Sequence, residues 1–228
     1  MSIVYNSQIA QDLWVLNSTN YKKNGYFVDI GANDPIKYNN TYLLENKYNW
    51  TGICVEPTTS CYNKLKQIRN KNTIIDNRVL YSVDNVDIFF KECEVSNLLN
   101  GIINTFDTLH TKNREKGSVK KKSTLSLNSL LQKYNAPLNI DYISIDTEGS
   151  EYDILKTFDF NKYNVFLFTV EHNSNSENIV DIQKQKNIEE LMIKNNYKKV
   201  DHINFSKQFK KNYSKKNNFE DWYIKIKN

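Results

Sequence analysis

Four short stretches of this chain set acidic or amide side chains directly after a run of apolar residues: Asp29 and Asn33, Glu56, Asp146 and Glu148, and Glu171, His172 and Asn173. A compact apolar run of roughly four to eight residues is the mark of a strand buried on both faces of a sheet. In open sheets of that kind, ligands bind in the crevice outside the carboxyl ends of the strands. A lone acid after a strand means little. Four such ends on one rim make a place that can receive a cation, orient hydroxyls or accept a proton.

Each stretch suggests its own chemistry. In Val28-Asp29-Ile30-Gly31-Ala32-Asn33-Asp34, Gly31 permits a tight turn and close approach to a ligand. Asn33, Asp34 and Pro35 stand where a G-x-G-x-x-G loop would carry its later glycines, so a dinucleotide pyrophosphate lacks its usual cradle. S-adenosylmethionine carries no phosphate, and its ammonium and sulfonium charges suit an acidic loop. Glu56 follows the next apolar run, where a carboxylate can accept both hydroxyls of a ribose. The plain alternative is a surface glutamate before the turn-forming Pro57.

Asp146, Glu148 and His172 are the candidate bases. A histidine titrates near neutrality, which suits that task. Each also has a structural alternative. His172 can be a satisfied histidine beside Glu171, Glu148 can brace the helix that starts near Glu151, and Asp146 can orient the donor or the acceptor. Asp146, Glu171 and Asn173 also form a candidate oxygen-donor set for a hard divalent ion such as magnesium. Such an ion would bind neighbouring acceptor hydroxyls and lower their pKa. Metal dependence is not the favoured reading, because no local motif fixes ligand geometry.

The elements that must hold these residues alternate along the chain. Helices are expected at 7–16, 41–47, 62–70, 125–134 and 179–195, with another from Glu151, capped by Ser150 with Asp153 three positions on. Strands are expected at 26–30, 52–55, 73–75, 86–90, 140–145, 165–170, 197–200 and 222–226. The segment 201–221 reads as non-helical, which permits an antiparallel final pair. The stretch 93–123 is polar, basic and without period, and reads as a long loop that forms an acceptor-side lid. The pattern predicts an α/β, Rossmann-like fold with a mostly parallel seven-stranded sheet and an antiparallel last strand. One domain is expected over 1–228, with an N-terminal helical segment at 1–24 and a lid or insertion loop at 93–123.

Bulk properties narrow the class. With 228 residues, 39% hydrophobic and 13% aromatic, the chain can bury a core and is not compositionally disordered. No stretch is apolar for about 18 residues, so no membrane span is expected. Gln8, Gln11 and Asp12 do not fit a signal peptide. Cys54, Cys61 and Cys93 are odd in number and lack CxxC spacing, which argues against a disulfide framework or a zinc site. A soluble, cytoplasmic protein is the expectation. The net charge of +5 is concentrated at 112–122 and 198–216. The plain reading of such clusters is a solvated surface, and the sharper one is attraction to phosphate or an anionic glycan.

In order and wording these motifs resemble the FkbM-type methyltransferase family. The resemblance rests on Ser7-Gln8, Gln11-Asp12, Gly25 through Pro35, Asn40-Thr41-Tyr42, Trp50 through Pro57, Asp141 through Glu151, Val170-Glu171-His172 and Asp221-Trp222-Tyr223, and so covers nearly the whole chain. It implies a class I methyltransferase fold, S-adenosylmethionine as donor, and O-methylation of sugars or small natural products. By motif position it implies that Asp29, Gly31, Ala32 and Asn33 face the methionine part, with Asp146 close by. Glu56 and Pro57 would then meet the ribose, and Asn77 and Arg78 the adenine. Arg78 stands where the family often carries alanine.

A sugar, glycan or small-molecule hydroxyl is the expected acceptor. Methylation of nucleic acid, RNA in particular, is the less favoured alternative. The basic clusters support it, but the chain has neither an N-P-P-Y-type motif for base amines nor an evident Lys-Asp-Lys-Glu arrangement for ribose hydroxyls. A non-catalytic binding module that kept the fold is a third reading, because fold alone does not prove function.

Overall fold

The central strands form where apolar residues run nearly without interruption, and the computed structural model shows why. It describes residues 4–93, 100–103, 105, 117–174, 178–210, 213–214 and 218–226. In chain order the strands are β1 (Tyr26–Ile30), β2 (Thr51–Val55), β3 (Ile74–Asp76), β4 (Val79–Leu80), β5 (Asp87–Cys93), β6 (Gly101–Ile102), β7 (Gly117–Leu125), β8 (Asn139–Ile145), β9 (Asn164–Glu171), β10 (Tyr197–Val200) and β11 (Glu220–Lys225). Seven of them make one sheet in the order β10-β11-β9-β8-β1-β2-β3. β11 runs antiparallel to both of its neighbours, and the other pairings are parallel.

Successive side chains on a strand point to opposite faces. Val28, Ile30, Ile53, Val55, Ile143, Ile145, Phe168 and Val170 therefore enter one core, and Phe27, Cys54, Tyr142, Leu167 and Trp222 enter another. Helices cover both. They are α1 (Gln11–Ser18), α2 (Tyr42–Tyr48), α3 (Thr59–Ile68), α4 (Leu127–Lys133), α5 (Glu151–Leu155), α6 (Ile179–Lys194) and α7 (His202–Lys207). Leu130, Leu131, Ile154, Leu155, Ile188 and Met192 bring α4, α5 and α6 to the first core. Leu13, Leu43, Leu44, Leu65 and Ile203 bring α1, α2, α3 and α7 to the second. From β1 the chain steps outward to β2 and β3, then returns to β8 on the other side of β1. The strand order reverses there, so the crevice at the carboxyl ends of β1 and β8 is where such a sheet binds its ligand.

The structure corrects several sequence expectations. Residues 117–123, expected as loop, belong to β7 and pair antiparallel with the whole of β5. β4, β7, β5 and β6 form a second, four-stranded sheet. β7 carries Lys120, Lys121 and Lys122 in place of an apolar pattern. Cross-strand ion pairs, Lys120 to Glu92 at 2.6 Å and Lys121 to Asp87 at 2.7 Å, take the role that apolar pairs play elsewhere. The remainder of the expected lid, at 94–99, 104 and 106–116, lies outside the described residues.

The 201–221 segment, expected without helix, contains α7. Its buried residues, His202, Ile203 and Ser206, span barely one turn, too little for a readable period. The helix expected from residue 7 starts at Gln11, because Ala10 is left-handed (φ 71°) and the Asp12 carboxylate accepts hydrogen bonds from Asn6 N and Ser7 Oγ. Ser150 occupies the cap position of α5 without capping it. Its Oγ donates to Thr147 Oγ1 at 2.8 Å, and Glu151 instead folds back to accept the backbone N–H groups of Thr147 and Gly149. Among the described residues no helix is long and apolar enough to cross a membrane.

Candidate active site

The loops that follow β1, β2 and β8 are bound to one another by backbone hydrogen bonds. Gly31 N and Ala32 N both donate to Val55 O, at 2.9 and 3.1 Å, and Asp146 N donates to Ile30 O at 2.9 Å. Gly31 has a φ of 81°, and a Cβ placed on it would lie 1.7 Å from the Asp146 carbonyl oxygen. Only glycine satisfies both the left-handed backbone and that approach. The loops thereby wall a cleft of about 850 Å³, counting its solvent-filled mouth, lined by Asp29, Gly31, Ala32, Asn33, Glu56, Pro57, Asp146 and Glu148. Three of the four acidic strand ends read from the sequence meet in it.

Glu56 is the most constrained of these side chains. One carboxylate oxygen accepts the N–H of Asn33 at 2.8 Å and the other accepts the N–H of Thr58 at 2.7 Å. Burial pushes this carboxyl up from its ordinary range, against the pull of those hydrogen bonds. Asp29 is buried as well and is reached through Thr41, whose Oγ1 donates to Asp29 Oδ2 at 2.7 Å. Burial raises its pKa, with Arg69 pulling the other way. Asn40 lines the cleft and donates to Ser144 Oγ at 2.9 Å, while its own buried Oδ1 has no partner among the described residues.

At the β8 and β9 tips, Asp146, Glu148 and Glu171 each place a carboxylate oxygen within 4.8 Å of the other two. Glu148 holds a left-handed backbone (φ 60°), a conformation that non-glycine residues keep mainly where the surroundings impose it. Glu171 does not line the cleft and is buried beside the two that do. Burial drives its carboxyl well above the usual range, and Asp146, Glu148 and Glu151 push it further the same way.

The remaining expected residues lie elsewhere. His172 is off the cleft wall, with its side chain buried. Its Nδ1 accepts the backbone N–H of Ser174 at 3.0 Å, which leaves the ring proton on Nε2, facing Asp221 Oδ1 at 3.6 Å. Asn173 is buried beside it with a left-handed backbone (φ 50°), and its N–H donates to Phe219 O at 3.0 Å. Asn77 is exposed, and neither it nor Arg78 is on the cleft wall. Arg78 is turned to Asp76, where Nε donates to Oδ1 at 3.0 Å.

Where the adenine contacts were expected, the cleft has an apolar end instead, made by Val79, Leu80, Phe90 and Ile102. Phe90 and Ile102 come from β5 and β6, so this wall exists only once the second sheet has formed. Val79 and Leu80, an apolar pair directly after Arg78, were the available sequence signal.

The model of the methyltransferase FkbM domain matches residues 29–211. The chain belongs to this family. In this FkbM methyltransferase domain the matched span takes in every cleft-lining residue except Gln8. No curated protein matches the chain. Among solved structures it is similar to the plantazolicin methyltransferase BpumL in complex with a triazolic desmethylPZN analog and SAH, with 9% identity and a TM-score of 0.45 over 96% of this chain and 84% of that one. It is also similar to a human methyltransferase 10 domain containing protein, with 11% identity and a TM-score of 0.42 over 97% and 84% of the two chains. A third is a Haemonchus contortus phosphoethanolamine N-methyltransferase 2 with phosphomonomethylethanolamine and S-adenosylhomocysteine, at 11% identity and a TM-score of 0.41 over 95% and 53%.

Proposed function

We propose that this FkbM-family protein transfers a methyl group from S-adenosylmethionine to a hydroxyl, with a sugar or glycan as acceptor. Glu56 carries the reading. It is a buried carboxylate at the tip of β2, fixed by two backbone amides, on a cleft that has no phosphate cradle. That arrangement suits the two hydroxyls of a ribose. Beside it, Val79, Leu80, Phe90 and Ile102 offer an apolar slot for a flat base. Asp146 and Glu148 supply negative field for a sulfonium, and Asn40 Oδ1 supplies an acceptor for an ammonium group.

In the reaction the bond from sulfur to the methyl carbon breaks as the bond from that carbon to the acceptor oxygen forms. Sulfur keeps the electron pair and becomes a neutral thioether. The donor is already activated, so the chain mainly has to align the partners and exclude water. A base that takes the hydroxyl proton adds on the order of 10²–10⁴-fold. Asp146 and Glu148 are assigned that role because both face the cleft. His172, with Nδ1 bound to Ser174 and Nε2 facing Asp221, is assigned the positioning of the β9 tip rather than proton transfer. At the outer edge the exposed Lys37 and Tyr38 give a sugar polar and flat surfaces to meet. The RNA reading loses support on β7, where Lys120, Lys121 and Lys122 are paired with Glu92 and Asp87.

The test combines donor binding with a methyl-transfer screen across nucleotide sugars, glycans, small hydroxyl compounds and RNA. Donor binding with transfer to a carbohydrate hydroxyl is expected. Transfer to RNA alone, or to amines alone, would overturn the acceptor assignment. Absence of donor binding would overturn the whole reading.

A further inference from the structure

Three buried acids in this molecule are matched by cations: Glu45 has Arg69 at 2.9 Å, Asp221 has Lys199 at 2.9 Å, and Asp76 has Arg78. Glu171 differs from these three. It is 6% exposed, and its Oε2 has no hydrogen-bond partner among the described residues. The charged groups that act on it most strongly, Asp146, Glu148 and Glu151, are all acidic. Three carboxylates thus converge within 4.8 Å, one of them buried with a vacant acceptor site. A buried carboxylate among like charges is costly unless a proton or a cation lies between them. One proton can bridge a pair of carboxylates, whereas three oxygen ligands around a common point match the donor set of a hard divalent ion.

We propose that Asp146, Glu148 and Glu171 bind a divalent cation of the magnesium or manganese type, with its open positions turned toward the cleft. Asp146 and Glu148 line that cleft, so an ion held between them and Glu171 is within reach of a bound acceptor. Its role rests on the function proposed above: with the ion bound, Asp146 and Glu148 serve as its ligands in place of acting as the base, a coordinated acceptor hydroxyl loses its proton to water more readily, and the oxygen then takes the methyl group as the carbon–sulfur bond breaks. Ion binding itself does not depend on that role.

The experiment titrates Mn²⁺ into metal-free full-length protein without donor, reading bound ion by electron paramagnetic resonance, and measures S-adenosylhomocysteine affinity separately in EDTA. One Mn²⁺ site that Mg²⁺ displaces is expected. Its affinity should drop in E171Q by more than the roughly 10–100-fold typical of losing an outer-shell partner of a metal site. The affinity for S-adenosylhomocysteine should stay unchanged, because Glu171 is off the cleft wall. If E171Q does not fold, E148Q tests Mn²⁺ affinity alone at a less buried ligand, because Glu148 also lines the donor cleft. Mn²⁺ binding equal in wild type and variants, or no binding at all, overturns the site and leaves a shared proton as the explanation of the cluster. Retained Mn²⁺ binding without donor binding would sink the proposed function and leave the site standing.

Discussion

Asp29 and Glu45 lie buried on one face of the sheet, and Asp146, Glu148 and Glu171 gather at its carboxyl edge. The first group is fully compensated. Glu45 Oε2 accepts from Arg69 Nε at 2.9 Å and from Thr73 Oγ1 at 2.7 Å, and its Oε1 accepts from Asn70 N at 2.6 Å. Arg69 also donates to Thr41, the hydroxyl that binds Asp29. In the second group the charged groups that act most strongly on Glu171 are acids. The same residue types therefore serve two purposes. Where a cation and hydroxyls meet the acids, they are scaffold. Where an oxygen is left open beside a cleft, the proposal makes them a receptor.

The largest expected effect comes from breaking the compensated cluster. R69M leaves Glu45 and Asp29 buried without their cation, and should lose about 3–5 kcal/mol in chemical denaturation. A loss below about 1 kcal/mol would dissolve the distinction between the two clusters. Next is G31A, which tests the joint between them. Its Cβ would meet the Asp146 carbonyl at 1.7 Å, so a loss of roughly 3 kcal/mol from overpacking is expected, together with loss of donor binding.

Asp76 is an intermediate case, an acid matched by an arginine that is itself partly exposed. Burial disfavours its charge, but hydrogen bonds from Arg78 and Tyr134 outweigh that and hold its carboxyl at about 2, below the ordinary 3.8. A depressed folded value means the stabilisation is present above about pH 4 and fades as pH falls toward 2. Thermal melts across that window should slope downward in wild type and flatten in D76N; equal slopes would contradict the pairing. The smallest effect is expected for metal-free E171Q, which should be as stable as wild type or slightly more so at neutral pH. The variant removes a like charge and leaves no cation unpaired. A loss as large as that of R69M would erase the contrast.

The sheet was legible because its central strands, such as β2, β8 and β9, are buried on both faces and read as nearly unbroken apolar runs. The cleft positions of Gly31, Glu56 and Asp146 were legible because they stand directly at strand ends, with Glu148 just beyond. β7 was not, since ion pairs across the ladder replace apolar alternation and leave a lysine-rich segment that resembles a loop. The apolar end of the cleft was hidden for a related reason: Phe90 and Ile102 reach it only through the pairing of β5 with β6. His172 drew notice by residue type, yet its contact with Ser174 N, two positions along, depends on backbone geometry that no spacing rule reveals. Arg78 was assigned by position, and the nearby Asp76 carboxylate claims it instead.

Calorimetric titration of S-adenosylhomocysteine into metal-free wild type and Glu56→Ala bears most directly on the proposal that these strand tips form a donor pocket. One site is expected in wild type, weakened about 10–100-fold in the variant, as removal of hydrogen bonds to a charged group of about 1.5–3 kcal/mol implies. No binding to wild type, or equal affinity in the two proteins, would contradict it.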